Sequence, residues 1–240
     1  MNEWFLPSCR VDLIRSHCFR ERNTIPTALK LILAKLLDRC ELFGLYSVYT
    51  RGYLFEMGWF ESFRTKQAIG LDGRPIPWIT YPCLSFLEER VESSMSVFEY
   101  GCGNSTLWWA SRVQRVVSCE HDQSWYDEVK KTVPGNVELY HIPLERDGAY
   151  SRLAAKFHRE LDIVFVDGRD RVNCVKHSLG ALRPNGVVIL DNSDDSEYCV
   201  ALQFLLANNY KFLHFRGPGP ITSAVWRTTI FYKQDNCLRI

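Results

Sequence analysis

The chain of 240 residues is 46% hydrophobic and 24% charged, with a formal net charge of +1. This is the make-up of a soluble globular protein long enough to bury a core without disulfides or metals. A charge so near zero provides no overall basic field and argues against a nucleic-acid partner.

Charges at Glu3, Arg10 and Asp12 interrupt any signal-peptide core. No apolar run is long enough to span a bilayer, so a cytoplasmic protein without a transmembrane segment is expected. The nine cysteines are scattered from Cys9 to Cys237 and form no CxxC pair. They read as free thiols packed as small hydrophobes in a reducing compartment.

The first 94 residues read as a helical N-terminal extension or cap. Thr27–Leu37 places Leu29, Ile32, Leu33, Leu36 and Leu37 at helical spacing, with Lys30 and Lys35 breaking the run. The aromatic stretch from Leu42 to Phe63 reads chiefly as a helical cap; wall of an acceptor pocket and face of a homodimer are the other readings. A turn follows at Leu71–Pro75, then a helix over Leu84–Val91.

From residue 95 to 240 short apolar strands alternate with helices. Strands are predicted at Ser96–Tyr100, Arg115–Glu120, Val137–Ile142, Asp162–Asp167 and Gly186–Asp191. Helices are predicted at Thr106–Arg112, Ser124–Thr132, Ala149–Arg159, Val172–Leu182 and Ser196–Asn208. This alternation implies right-handed crossovers and a mostly parallel sheet. Tyr210–Phe215 and Ala224–Lys233, joined by a Gly-Pro-Gly-Pro turn, have no helix between them and predict an antiparallel hairpin at one end. The fold class is thus α/β, a seven-stranded mostly parallel sheet with a C-terminal antiparallel hairpin plus the helical extension.

The first strand runs into Glu99-Tyr100-Gly101-Cys102-Gly103-Asn104-Ser105-Thr106. Gly101 and Gly103 allow a tight turn and close approach of backbone to a ligand. Ser105 or Thr106 is placed to cap the next helix. Thr106 stands where a dinucleotide fingerprint needs its third glycine. Glu99, two residues before the first glycine, would repel pyrophosphate and suits a cationic amino-acid ligand. Glu120 ends the next strand, where an acid can accept hydrogen bonds from both ribose hydroxyls.

The stretches VFEYGCGNST, VVSCEHD, LDIVFVDGRDR and LRPNGVVILDN resemble the class I S-adenosylmethionine-dependent methyltransferases, which have a Rossmann-like fold. The resemblance spans most of the chain from residue 95 onward. It implies S-adenosyl-L-methionine as cofactor, with Glu99, Gly101, Gly103 and Ser105 in the methionine loop. It also implies Glu120 as the ribose acid, His121 beside the adenine, and His141 near it. Residues 95–240 would then be the catalytic domain.

Asp167 and the Asp191-Asn192 pair end two further strands, at the sheet edge where ligands bind. Two carboxylates and an amide oxygen are hard ligands suited to Mg²⁺ or another divalent cation. Their spacing is similar to that of metal-dependent O-methyltransferases. That likeness implies Asp167, Asp191 and Asn192 as metal ligands and Asp167 as a contact to the cofactor. Those enzymes place a lysine base after the first aspartate, whereas Gly168-Arg169-Asp170-Arg171 stand here. Arginine stays protonated and is not a base. Asp167, Asp170 and Asp191 are therefore the candidate catalytic acids, and the arginines are candidates to bind an anionic substrate group. Asp194 and Asp195 read as helix-start acids.

VDGRDRVNC, DNSDDSEY and the late GPGPI segment resemble the FkbM-like and related sugar or natural-product methyltransferases, which implies a hydroxyl on a small molecule or glycan as acceptor. Trp108 and Trp109 read as core. Trp78, Thr80 and Tyr81, and the Gly217–Pro220 loop, are placed to act as lids. His158, His177 and His214 have no metal spacing. Two rival readings are an aminopropyl transferase on the same fold, with an acidic pocket for a polyamine, and a non-catalytic cofactor-binding scaffold.

Overall fold

A computed structural model describes residues 27–240. The expectations resting on Glu3, Arg10, Asp12 and Cys9 fall outside the described residues. Five helices come first: α1 (Thr27–Arg39), α2 (Phe43–Arg51), α3 (Tyr53–Glu56), α4 (Trp59–Thr65) and α5 (Tyr81–Glu88). Helix α5 starts three residues before the expected position. Pro82 lies in its first turn, where a missing N–H costs nothing.

The strands are β1 (Ser96–Tyr100), β2 (Arg115–Glu120), β3 (Val137–His141), β4 (Leu161–Val166), β5 (Leu182–Leu190), β6 (Lys211–Pro218) and β7 (Val225–Tyr232). They form one sheet in the order β3-β2-β1-β4-β5-β7-β6. Pairings from β3 through β5 are parallel, and β7 runs antiparallel to both β5 and β6. The connecting helices are α6 (Asn104–Ala110), α7 (Gln123–Lys130), α8 (Ala149–Arg152), α9 (Arg171–Ser178) and α10 (Cys199–Ala207).

β1 and β4 are buried at every residue, whereas β3 alternates between partly buried and exposed. A central parallel strand is covered on both faces and reads as a continuous apolar run; an edge strand shows the two-residue period of its side chains. That period sends Phe98, Tyr100, Val164 and Leu190 to a core shared with Tyr150, Leu153 and Leu205. Val97, Ile163, Phe165 and Ile189 go to the opposite core, with Tyr81, Leu84, Trp108 and Trp109. Trp108 and Trp109 are thus core residues.

The remaining differences from expectation lie at element ends. The segments after α8 and α9 tighten into 3₁₀ turns, Leu153–Lys156 and Leu179–Ala181. β5 begins at Leu182 rather than Gly186, because its register with β4 shifts between Leu161 and Ile163 and absorbs the extra residues. Gly217 and Pro218 belong to β6, so the turn to β7 follows them. No helix among the described residues is long and apolar enough to cross a membrane.

Candidate functional site

The carboxyl ends of β1, β2, β4 and β5 open onto a cleft of about 650 Å³. Its walls include Glu99, Gly101, Ser105, Glu120, His121 and Asp167. Together with Asp191 at the end of β5, these residues come from four strand ends and the loops that follow them, as an open parallel sheet arranges its ligand site.

Gly101 adopts φ 94° and Gly103 φ 155°. Gly103, not Ser105 or Thr106, is the residue that precedes α6. The Thr106 hydroxyl instead accepts from the Gly103 N–H at 2.9 Å and donates to Glu99 Oε2 at 2.5 Å. Ser118 Oγ donates to the same oxygen at 2.7 Å. Glu99 Oε1 is buried with no hydrogen-bond partner among the described residues. Burial pushes the Glu99 carboxyl up to about 7, against the hydroxyls of Ser105, Thr106 and Ser118, which pull it down. Gly103 itself does not line the cleft; its role is the turn. The indole of Trp125 covers it, donating to the Cys102 carbonyl at 2.7 Å. Trp125 is a wall residue that sequence reasoning placed only in a helix. The signal was Asp122, whose carboxylate caps α7 and holds the Trp125 N–H at 3.0 Å.

Glu120 is buried, and its Oε1 accepts the N–H groups of His121 at 2.7 Å and Asp122 at 2.9 Å. His121 Nδ1 lies 2.7 Å from the same oxygen. His141 does not reach the cleft; its Nε2 donates to the His121 carbonyl at 3.2 Å.

At the end of β4, Gly168 touches Gly101 across the cleft floor. A Cβ on Gly168 would sit 2.9 Å from the Gly101 nitrogen and collide with the Tyr150 hydroxyl. Gly168→Ala is expected to cost about 3 kcal/mol, as overpacking at a rigid contact does. Chemical denaturation measures this, and a loss below 0.5 kcal/mol would show the loops free to part.

The expected metal ligands do not form a cation site. The Arg171 guanidinium lies between them. Its Nη2 donates to Asp167 Oδ1 at 3.0 Å, and its Nη1 to Asn192 Oδ1 at 3.1 Å. Further bonds run to the carbonyls of Asp191 at 2.6 Å, Asp167 at 3.0 Å and Gly168 at 3.0 Å. All five N–H donors of the guanidinium are used. Asp191 accepts from Trp226 Nε1 at 3.0 Å and from Thr228 Oγ1 at 2.5 Å. A divalent cation would have to displace a fixed positive group, so the donor set does not fit one. Among the described residues, no cluster of His, Cys, Asp and Glu has metal-holding geometry.

Burial and the neighbouring charge of Asp191 hold the Asp167 carboxyl well above the usual range, with Arg171 pulling it back. Burial likewise lifts Asp191 to about 6. Asp167 lines the cleft and is bonded by Arg171 through Oδ1, whereas both oxygens of Asp191 are engaged by Trp226. Asp170, the third expected catalytic acid, is directed elsewhere: it accepts from the Asp147 N–H at 2.8 Å and from Asn173 at 2.8 Å. Asp195 starts its 3₁₀ turn by accepting from the Glu197 N–H, and Asp194 accepts from the Arg227 N–H. Of the expected lids, Trp78 lines the cleft, while Thr80 and Tyr81 are buried beneath it. The wall beside Trp78 is Thr222, Ala224 and Trp226 rather than Gly217–Pro220.

The strand order, the glycine loop after β1 and the acid ending β2 define the Rossmann-like class I methyltransferase fold. Residues 98–193 match a family model described as a methyltransferase domain. No curated protein matches the chain in sequence. Among solved structures, it is similar to precorrin-6y C5,15-methyltransferase from Geobacter metallireducens at 16% identity, over 64% of this chain and 87% of that one, with a TM-score of 0.49. It is similar to TrmK of M. capricolum, solved with S-adenosyl-homocysteine, at 10% identity over 67% and 71% of the two chains, with a TM-score of 0.48. An rRNA methylase from Streptococcus thermophilus is 14% identical over 66% of this chain and 100% of its own, with a TM-score of 0.47.

Proposed function

We propose that the chain transfers the methyl group of S-adenosylmethionine to a hydroxyl oxygen of a small molecule or glycan, without a divalent cation. The observation that carries the donor half is Glu99 Oε1, a buried carboxylate oxygen left unpartnered in the cleft wall. Such a group is costly unless a ligand completes it, and an amino-acid ammonium does so. Glu120, fixed through one oxygen by two backbone N–H groups, offers the other to the ribose hydroxyls. His121 lies beside it, and the backbone of Gly101 and the Ser105 side chain complete the methionine end.

When bound, the sulfonium supplies an electrophilic methyl group and leaves as a neutral thioether, so the protein's share is alignment and one proton. Asp167 supplies the proton acceptor. Its carboxylate, which lines the cleft, would hold the acceptor hydroxyl and accept its proton, and its raised pKa makes it a stronger base than a solvated carboxylate. The FkbM-like pattern of the strand ends supports a glycan or natural-product acceptor.

The helices over residues 27–94 serve in this reading as an extension that braces the acceptor end. Trp59 Nε1 donates to the Thr222 carbonyl at 2.8 Å, beside the cleft wall. The seven cysteines among the described residues are free thiols, which supports a reducing, cytoplasmic location.

Calorimetry with S-adenosylhomocysteine tests the reading directly. Wild-type protein should bind it, and Glu120→Ala should weaken binding by about 1.5–3 kcal/mol through loss of a charged hydrogen-bond partner. No heat at millimolar ligand would sink the assignment, and unchanged affinity in the variant would remove Glu120 from the ribose role.

A further inference from the structure

Resting on that reading, the part of the cleft not used by the cofactor has a chemistry of its own. Two indoles line it. Trp226 is immobilised: its Nε1 bonds to Asp191, and its ring backs onto Gly219, where a Cβ would collide with it. Trp78 leaves 48% of its surface open. Its chain segment is nonetheless fixed, because the next-but-one residue, Thr80, donates its N–H to Thr228 Oγ1 and its hydroxyl to the Phe215 carbonyl and Thr228 Oγ1. A large aromatic ring held still and left open to a cleft is a surface for a flat partner.

Arg169 adds the second feature. It stands two residues before Arg171 and also lines the cleft, yet the two differ completely. Arg171 has every donor satisfied, whereas Arg169 is exposed and its guanidinium has no carboxylate partner among the described residues. It is the unsatisfied cation of the site, and a planar guanidinium fits a carboxylate or phosphate through paired hydrogen bonds.

We propose that the acceptor is a hydroxylated ring bearing a carboxylate or phosphate. The ring lies on the open indole of Trp78, with the buried Trp226 as the fixed wall of the cleft, and the anion pairs with Arg169, which brings the hydroxyl to Asp167. Aromatic acids and anionic sugars share this chemistry.

Calorimetry on protein saturated with S-adenosylhomocysteine separates the two sources. The probes are 3,4-dihydroxybenzoate against catechol, and glucose 6-phosphate against glucose. In at least one pair the anion should bind roughly ten-fold or more tightly than its neutral counterpart, the size of one charge-assisted hydrogen bond. Arg169→Gln should erase that preference while leaving S-adenosylhomocysteine affinity unchanged. Trp78→Ala should weaken both members of the pair alike. The proposal is overturned if neither anion binds, if the neutral members bind as well, or if Arg169→Gln weakens S-adenosylhomocysteine itself, which would assign Arg169 to the cofactor. Failure of the wild type to bind S-adenosylhomocysteine would instead remove the cofactor reading on which the proposal stands.

Discussion

Arg171→Met is expected to lower stability by about 3 kcal/mol, the lower end of the range for breaking a buried ion pair by removing one partner, because this pair is part-buried. The Arg171 side chain keeps 11% of its exposure, and its five hydrogen bonds tie the end of β4 to the end of β5. Methionine fills part of the volume but satisfies none of those acceptors. Asp167 is then left beside Asp191 with no cation, so it takes up a proton. An acid whose folded pKa lies above its unfolded value stabilises the fold less as pH rises between the two. The variant should therefore be more damaged at pH 8 than at pH 5. Thermal melts at both pH values measure this, and an equal loss at both would mean that Asp167 keeps its charge without Arg171. Adding Asp167→Asn should recover part of the loss, because the orphaned charge is gone. On the proposed function, the same arrangement should leave methyl transfer insensitive to EDTA; a rate that falls on chelation and returns with Mg²⁺ would show that a cation can displace the guanidinium.

The succession of strands along the chain was legible because each central strand is a short apolar run ending in an acid or a glycine. Ser96–Tyr100 and Arg115–Glu120 could be bounded to the residue for that reason. Helix ends were less legible: whether Ala149–Arg159 stays α-helical or tightens after Arg152 depends on packing against the sheet, which local propensity does not contain. At the site, Glu99 and Glu120 stood out because each lies next to a turn whose chemistry depends on it. Arg171 did not. Arg169 and Arg171 are indistinguishable in sequence, and a left-handed turn at Asp170, φ 49°, separates their fates. Trp226 reaches Asp191 from 35 residues away. A strand-end acid looks the same in sequence whether a metal, an indole or an arginine satisfies it, and that is why the metal reading failed on geometry.

Glu99→Gln should fold normally and bind S-adenosylhomocysteine about 10- to 100-fold more weakly, the loss of one charged hydrogen-bond partner. Folding survives because an amide oxygen still accepts from the Thr106 and Ser118 hydroxyls, and neutralising a carboxylate in this burial removes a desolvation cost. The pH dependence is the sharper test. In the empty cleft Glu99 titrates at about 7 because it is buried. A bound ammonium stabilises the ionised form, so binding favours loss of the proton. Affinity should rise about ten-fold per pH unit from pH 5.5 toward 7 and level off above it, since only the ionised fraction binds well. Buffers of different ionisation heat should report proton release on binding near pH 6.5. In Glu99→Gln both the pH slope and the proton release should vanish while the residual affinity stays flat. A slope that persists in the variant would place the titrating group elsewhere in the cleft, with Asp191, lifted to about 6, the next to examine. On this prediction, the carboxylate that first marks the loop as unsuited to pyrophosphate is the group whose protonation state should set how tightly the proposed donor is held.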